Sequence, residues 1–208
     1  MDKHWRARTA RELKPILEQA SAAVLDTCCG TGDLAFSLAR RGEARIFGAD
    51  FSHTMLVRAR EKSAGQRSGK RAIPFLEADA LRLPFADSSF DLVTSAFGFR
   101  NLANYEAGLQ EIYRVLKPGS TIAILEFTEP APGLMGDLYQ VYCQKILPKI
   151  GGWISGDGVA YAYLPKSVAR FFRPLEFVEQ LQRVGYVNPR YQLMTFGSVA
   201  LHVAARPR

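Results

Sequence analysis

Three carboxylates set around a pair of glycines form the part of this chain best suited to chemistry. Asp26 and Asp33 bracket Gly30-Thr31-Gly32, and Asp50 closes Phe47-Gly48-Ala49-Asp50. Residues 22–26 read as a short buried strand. The glycines allow a tight turn and close approach of the backbone to a ligand, and Asp33-Leu34-Ala35 opens a helix. Residues 45–49 read as a second strand, and the carboxylate after it suits a ribose diol. Together these features describe a nucleoside-cofactor site at the carboxyl ends of parallel strands.

Charge bears on which cofactor. Gly30-x-Gly32-x-x-Ala35 also fits a dinucleotide fingerprint, and Asp50 lies about where such a site keeps its acid. A dinucleotide sets its pyrophosphate on the first helix N-terminus, where a nearby carboxylate would repel it. S-adenosylmethionine has no phosphate and carries an ammonium and a sulfonium, which acids attract. The acid-flanked loop therefore favours S-adenosylmethionine, with the dinucleotide as the competing reading. Asp33 alone would be explained by a helix dipole. Asp26 and Asp50 together would not.

Strands and helices alternate around this loop. Residues 73–78 read as a third strand closed by Asp79-Ala80, and residues 90–95 as a fourth. Leu109, Ile112, Tyr113 and Leu116 share one helical face before a Lys117-Pro118-Gly119 stop. Residues 121–127 make a fifth strand, Pro174 starts another helix, and residues 186–193 and 199–204 read as a closing antiparallel pair. The pattern predicts an α/β fold with a doubly wound, mostly parallel seven-stranded sheet and an antiparallel last strand. The whole of 1–208 reads as a single domain. Residues 129–166 form an insertion whose Met135, Leu138, Tyr139, Tyr142 and Ile146 have helical spacing. Such a stripe packs in a core or, placed after the fifth strand, lines an apolar lid over the reactive end of the cofactor.

Composition narrows the classes further. Hydrophobic residues make up 48% and charged residues 23% of the 208, ordinary proportions for a globular domain. No run approaches the roughly 18 apolar residues of a membrane span. Asp2-Lys3-His4-Trp5-Arg6 follows Met1 without the apolar core of a secretion signal, so a cytoplasmic protein is expected. The three cysteines have no metal-ligand spacing, and no metal is expected. Adjacent Cys28 and Cys29 read as small residues packed in the cofactor loop of a reduced protein. The net charge of +7 leaves solvated surface, an anionic membrane face and nucleic acid as explanations. No basic cluster interleaves with aromatics, so nucleic acid is not expected as a partner.

Several spaced segments resemble the ubiquinone/menaquinone biosynthesis C-methyltransferases, a family of class I S-adenosylmethionine-dependent enzymes. They are Cys29-Gly30-Thr31-Gly32-Asp33-Leu34, Leu83-Pro84-Phe85 with Phe90-Asp91, and Phe97-Gly98-Phe99-Arg100-Asn101-Leu102. Tyr113-Arg114-Val115-Leu116-Lys117-Pro118-Gly119 and Leu125-Glu126-Phe127 continue the likeness. It ends with Leu147-Pro148-Lys149-Ile150-Gly151 and Tyr161-Ala162-Tyr163-Leu164-Pro165-Lys166-Ser167. The glycine loop and the Lys117-Pro118-Gly119 turn are common to many methyltransferases, whereas residues 97–102 and 161–167 are particular to the quinone enzymes. The chain departs from the family at Ser120, where a second glycine is usual, at Thr128 and Ala96, where serine is usual or frequent, and in its short N-terminal segment around His4-Trp5-Arg6.

The resemblance implies methyl transfer to a ring carbon of a reduced polyprenyl quinone precursor, of menaquinone or of ubiquinone. Position assigns the cofactor roles. Gly30, Gly32 and Thr31 are expected at the methionine moiety, with Asp26 and Asp33 answering its positive charges. Asp50 is expected at the ribose, Phe51 and Met55 against the adenine ring, and Asp79 and Ala80 at its edge. Ala96 and Phe97 should sit near the sulfonium. Arg100 is the candidate for stabilising a developing phenolate, with Asn101 orienting the ring oxygen. The competing role for Arg100 is a structural pair with Glu126. Tyr139, Tyr161 and Tyr163 are candidates to line the ring pocket. The expected partner is a polyprenyl quinol, with peripheral contact at the inner membrane face, and a homo-oligomer is left open. Alternatives are a methyltransferase for another hydrophobic or phenolic acceptor, or a non-catalytic S-adenosylmethionine-binding protein.

Overall fold

Alternation along the strands decides how this chain folds. In the computed structural model, which describes residues 2–65, 72–129 and 167–208, Val24 and Leu25 of β1 (Ala23–Thr27) point into two different cores. Leu92 and Val93 of β4 (Phe90–Ala96) do the same, as do Ala123 and Ile124 of β5 (Leu116–Phe127). A strand apolar on both faces must be covered on both faces. One is covered by α1 (Asp2–Glu12), α3 (Asp33–Ala39) and α4 (His53–Gly65), which bring Trp5, Leu34, Leu38 and Leu56. The short α2 (Lys14–Leu17) adds Leu17 to the same core. The other is covered by α5 (Tyr105–Val115) and α6 (Pro174–Val184) through Leu109, Ile112, Phe177 and Leu181.

The sheet has seven strands in the order β3-β2-β1-β4-β5-β7-β6, completed by β2 (Arg45–Asp50), β3 (Phe75–Glu77), β6 (Val187–Met194) and β7 (Val199–Ala205). Strands β1 to β5 run parallel, and β7 is antiparallel to both β5 and β6. This is the doubly wound sheet with an antiparallel last strand that the sequence predicts. The order reverses between β1 and β4, and a crevice opens at the carboxyl ends of strands at such a switch point.

Three local readings are adjusted. The third strand keeps only three paired residues. Lys117-Pro118-Gly119 does not simply stop a helix: α5 ends at Val115, and these residues form an irregularity inside β5, where Phe90 pairs with Leu116 but Leu92 pairs with Thr121. Gly119, at φ +81°, takes the left-handed conformation that the bend needs. The N-terminal segment forms the eleven-residue α1, held because Trp5, Ala10 and Leu13 are buried in the core. The lid inferred for 129–166 lies, but for Glu129, outside the described residues.

Candidate functional site

At the β1/β4 switch point the loops after β1, β2 and β4 enclose a cavity of about 730 Å³. Its floor is built from unusual backbone. Cys28 after β1 and Phe97 after β4 both have positive φ, 52° and 60°, which side chains other than glycine rarely adopt. Gly98 between them allows the two loops to touch, since a Cβ there would sit 2.5 Å from the Cβ of Cys28. Gly30 has open space where a side chain would stand, as a loop that receives a ligand requires.

Asp50 ends β2 at the rim of this space. One of its oxygens accepts the Gly30 N–H at 2.7 Å, and the other accepts the Ser52 N–H at 2.9 Å. A carboxylate oxygen accepts about two hydrogen bonds, so each keeps capacity for a hydroxyl. Beside it Phe51 is 78% and Met55 41% exposed, two apolar side chains left open to solvent at a cavity mouth. A carboxylate with two free acceptor positions beside an apolar platform fits the ribose and adenine of a nucleoside. Asp79 and Ala80 line the same end, where Asp79 accepts the Leu81 N–H at 2.9 Å.

Asp26, at the centre of the sheet, is fully buried. It accepts from the Thr94 hydroxyl at 2.8 Å and from the Ala35 N–H at 3.1 Å. Burial pushes its carboxyl up to about 7, against those two donors, which favour the ionised form. Asp33 lies on the open side, paired with Lys62 at 2.9 Å and accepting from the Thr31 hydroxyl at 3.1 Å. Asp26, Asp33, Gly30 and Thr31 all line the cavity, as do Ala96 and Phe97. Gly32 does not. It opens α3 at φ +79°, and a Cβ there would meet the Phe75 ring at 2.8 Å, so its part is to shape the turn.

Arg100 and Asn101, neighbours in sequence, are separated by the fold. Asn101 lines the cavity, and Arg100 does not. The Arg100 guanidinium, 9% exposed, turns to Glu126 at 2.7 Å and also donates to the Phe97 carbonyl and to the Ser167 hydroxyl. Glu126 is fully buried and further accepts the N–H groups of Arg100 and Phe127. Burial raises its carboxyl above the usual range, against the guanidinium that favours the ionised form. The pairing weighed from sequence is therefore present, and it clamps the β4 loop to β5.

Other histidines and thiols have plain roles. His202 is buried on β7 against Phe177, and burial lowers its ring to about 4, which keeps it neutral. His53 pairs with Glu77 at 2.8 Å. Cys28 and Cys29 are free thiols; burial pushes Cys28 up to about 12 and Cys29 upward as well, so neither is a ready nucleophile. Among the described residues no three His, Cys, Asp or Glu side chains gather as metal ligands, and no helix is long and apolar enough to cross a membrane. Tyr139, Tyr161 and Tyr163 lie outside the described residues.

Several cavity residues were missed from sequence, among them Leu34, Ser52, Gly98 and Leu102, and Arg6 is the charged one. Arg6 of α1 lines the wall with its guanidinium 5.5 Å from the centre of the Phe97 ring. The available signal was Trp5, Thr9, Leu13 and Leu17 recurring every fourth residue, a helix placed to pack on the sheet.

Residues 1–206 match the model of the ubiE/COQ5 methyltransferase family. A demethylmenaquinone methyltransferase of Thermus thermophilus is 47% identical over 99% of this chain and 91% of its own length. One from Deinococcus radiodurans is 43% identical over 98% of this chain and 82% of its own. Among solved structures, a SAM-dependent methyltransferase from Aquifex aeolicus superposes with a TM-score of 0.66, covering 94% of this chain and 88% of its own, at 18% identity, a likeness of fold.

Proposed function

The chain belongs to the ubiE/COQ5 methyltransferase family, and from that premise we propose that this S-adenosylmethionine-dependent enzyme methylates a ring carbon of a reduced polyprenyl quinone precursor, demethylmenaquinol giving menaquinol. The choice of acceptor rests on the names of its relatives. The choice of cofactor is supported by one arrangement in the chain itself: Asp50 with a free acceptor position on each oxygen, beside exposed Phe51 and Met55.

The cofactor, when bound, supplies a methyl group already activated by its sulfonium. What remains for the protein is to bind, orient and exclude water. Asp50 receives the ribose hydroxyls, and the open backbone at Gly30 receives the methionyl chain. Phe97, held in its left-handed conformation, forms part of the cavity wall and would border the sulfonium end of the cofactor. Asn101 lines the cavity and orients a ring oxygen of the acceptor. Arg100 serves as a positioning residue, fixing the loop that carries Asn101 through Glu126. Tyr139, Tyr161 and Tyr163 are proposed for the acceptor ring on sequence grounds alone.

A polyprenyl quinol partitions into the bilayer, so the enzyme collects it at that interface by peripheral contact. Arg8, Arg11 and Lys14 are exposed on the N-terminal helices. Each basic residue near an anionic surface contributes about 1 kcal/mol and is screened by salt. Flotation with anionic vesicles, lost at high salt, supports this contact, and equal binding to neutral vesicles removes it. The activity itself is tested with purified protein, S-adenosylmethionine and a short-chain demethylmenaquinol, the product being identified by mass spectrometry. Cofactor binding without turnover, or turnover only on a phenolic or sterol-like acceptor, overturns the assignment.

A further inference from the structure

The charges on the cavity wall do not balance. Asp26, Asp33, Asp50 and Asp79 line it, and among the described residues Arg6 is the one basic side chain that does. S-adenosylmethionine brings two cationic centres and one anion, its α-carboxylate. The cations find acids in abundance. Asp33 is paired with Lys62 and burial holds Asp26 toward its neutral form, but Asp50 and Asp79 would still repel the carboxylate unless it lies against a cation.

Arg6 is placed and left available for that contact. Its side chain is 16% exposed, with Nη1 paired to Asp2 at 2.7 Å. Its Nε is buried and has no hydrogen-bond partner, an unfavourable state for a guanidinium donor. Nε and Nη2 form the edge of the fork that a carboxylate takes with two parallel bonds, and Asp2 occupies the other side. The charge of Arg6 also reaches Asp26, whose carboxyl it draws downward against burial. Trp5 fixes the helix in place: its Nε1 donates to the Thr195 hydroxyl at 2.8 Å, and its ring packs on Phe97 and Phe127.

We infer that Arg6 binds the α-carboxylate of S-adenosylmethionine through its Nε–Nη2 edge, making α1 the wall that reads the amino-acid end of the cofactor. The inference rests on the S-adenosylmethionine reading of the cavity.

Decarboxylated S-adenosylmethionine keeps the ammonium and sulfonium and lacks only the carboxylate. Calorimetry on the unmodified chain should show roughly tenfold or greater preference for the complete cofactor. Arg6→Gln should abolish that preference by weakening S-adenosylmethionine alone, leaving the decarboxylated ligand bound as before. Arg6→Lys should recover part of it. Asp2→Asn, which removes the neighbour of Arg6 and not the fork, should leave both affinities within about twofold. Equal binding of the two ligands by the unmodified chain overturns the inference while leaving the cofactor assignment standing, and so does an equal loss of both in Arg6→Gln. Failure of the unmodified chain to bind either ligand overturns the cofactor assignment itself. The ligand comparison on the unmodified chain needs no variant to fold.

Discussion

Asp50 and Glu126 both sit at the carboxyl ends of strands, but at the two sides of the cavity they are used in opposite ways. Asp50 takes one backbone N–H on each oxygen and keeps capacity at the rim. Glu126 is fully buried and engaged by a guanidinium and two backbone N–H groups. On the proposed reading the Asp50 side of the site is a prepared receptor for the nucleoside, and the β4–β5 side is a brace. The difference comes from what surrounds each carboxylate. A loop with positive-φ residues and exposed apolar side chains leaves Asp50, though only 8% exposed, facing the cavity. A neighbouring strand and the Arg100 side chain close over Glu126.

Breaking the brace should have the largest effect. Arg100→Ala leaves a fully buried carboxyl without its cation, at an expected cost of about 3–5 kcal/mol of stability by denaturant unfolding. Replacing both partners, Arg100→Met with Glu126→Leu, should restore most of that stability. Arg100→Ala with unchanged stability would show that the pair is no brace, and would return Arg100 to consideration as the group that stabilises a phenolate.

Removing the receptor should cost less stability and more affinity. Asp50→Ala should weaken S-adenosylmethionine binding by about 1.5–3 kcal/mol, tenfold or more, through lost charge-assisted hydrogen bonds. NADH should show no specific binding in the same calorimeter. Unchanged S-adenosylmethionine affinity would sink the ribose assignment.

The smallest effect, taken per pH unit, concerns Asp26, which sits between the two sides. Its folded-state value, about 7, is above the ordinary 3.8, so the native chain holds a proton that the unfolded chain has released. Stability from this group is full below the ordinary value, declines as pH rises, and is lost above about 7. Relative to Asp26→Asn, the wild-type chain should lose stability from about pH 5 to about pH 7, with a slope of up to about 1.4 kcal/mol per pH unit. A difference that stays constant across that range would argue that Asp26 is ionised throughout.

Much of this was legible in the residues because it is local. Glycines bracketed by acids after an apolar run announce a strand, a turn and a helix start. Strands apolar on both faces announce a sheet covered on both sides, and the placement of Asp50, Phe51 and Met55 at one rim follows from them. The separation of Arg100 from Asn101 was not legible. Adjacent residues in a single turn can face opposite ways, and both a catalytic and a structural role suited a guanidinium there. Arg6 was hidden for another reason: its segment is basic, and although Trp5, Thr9, Leu13 and Leu17 recur every fourth residue, nothing within it refers to a cavity.

By itself, then, the sequence determined the order of strands and helices, the cofactor loop and the family, since periodicity, turn chemistry and motif spacing act over a few residues. Tertiary structure decided which charges meet. Arg100 faces Glu126 because β4 and β5 are neighbours in the sheet, and Arg6 reaches the cavity because burial of Trp5 draws α1 across the strand ends. Pairing between distant charges depends on which surfaces the core brings together, and that is a property of the packed chain rather than of any segment in it.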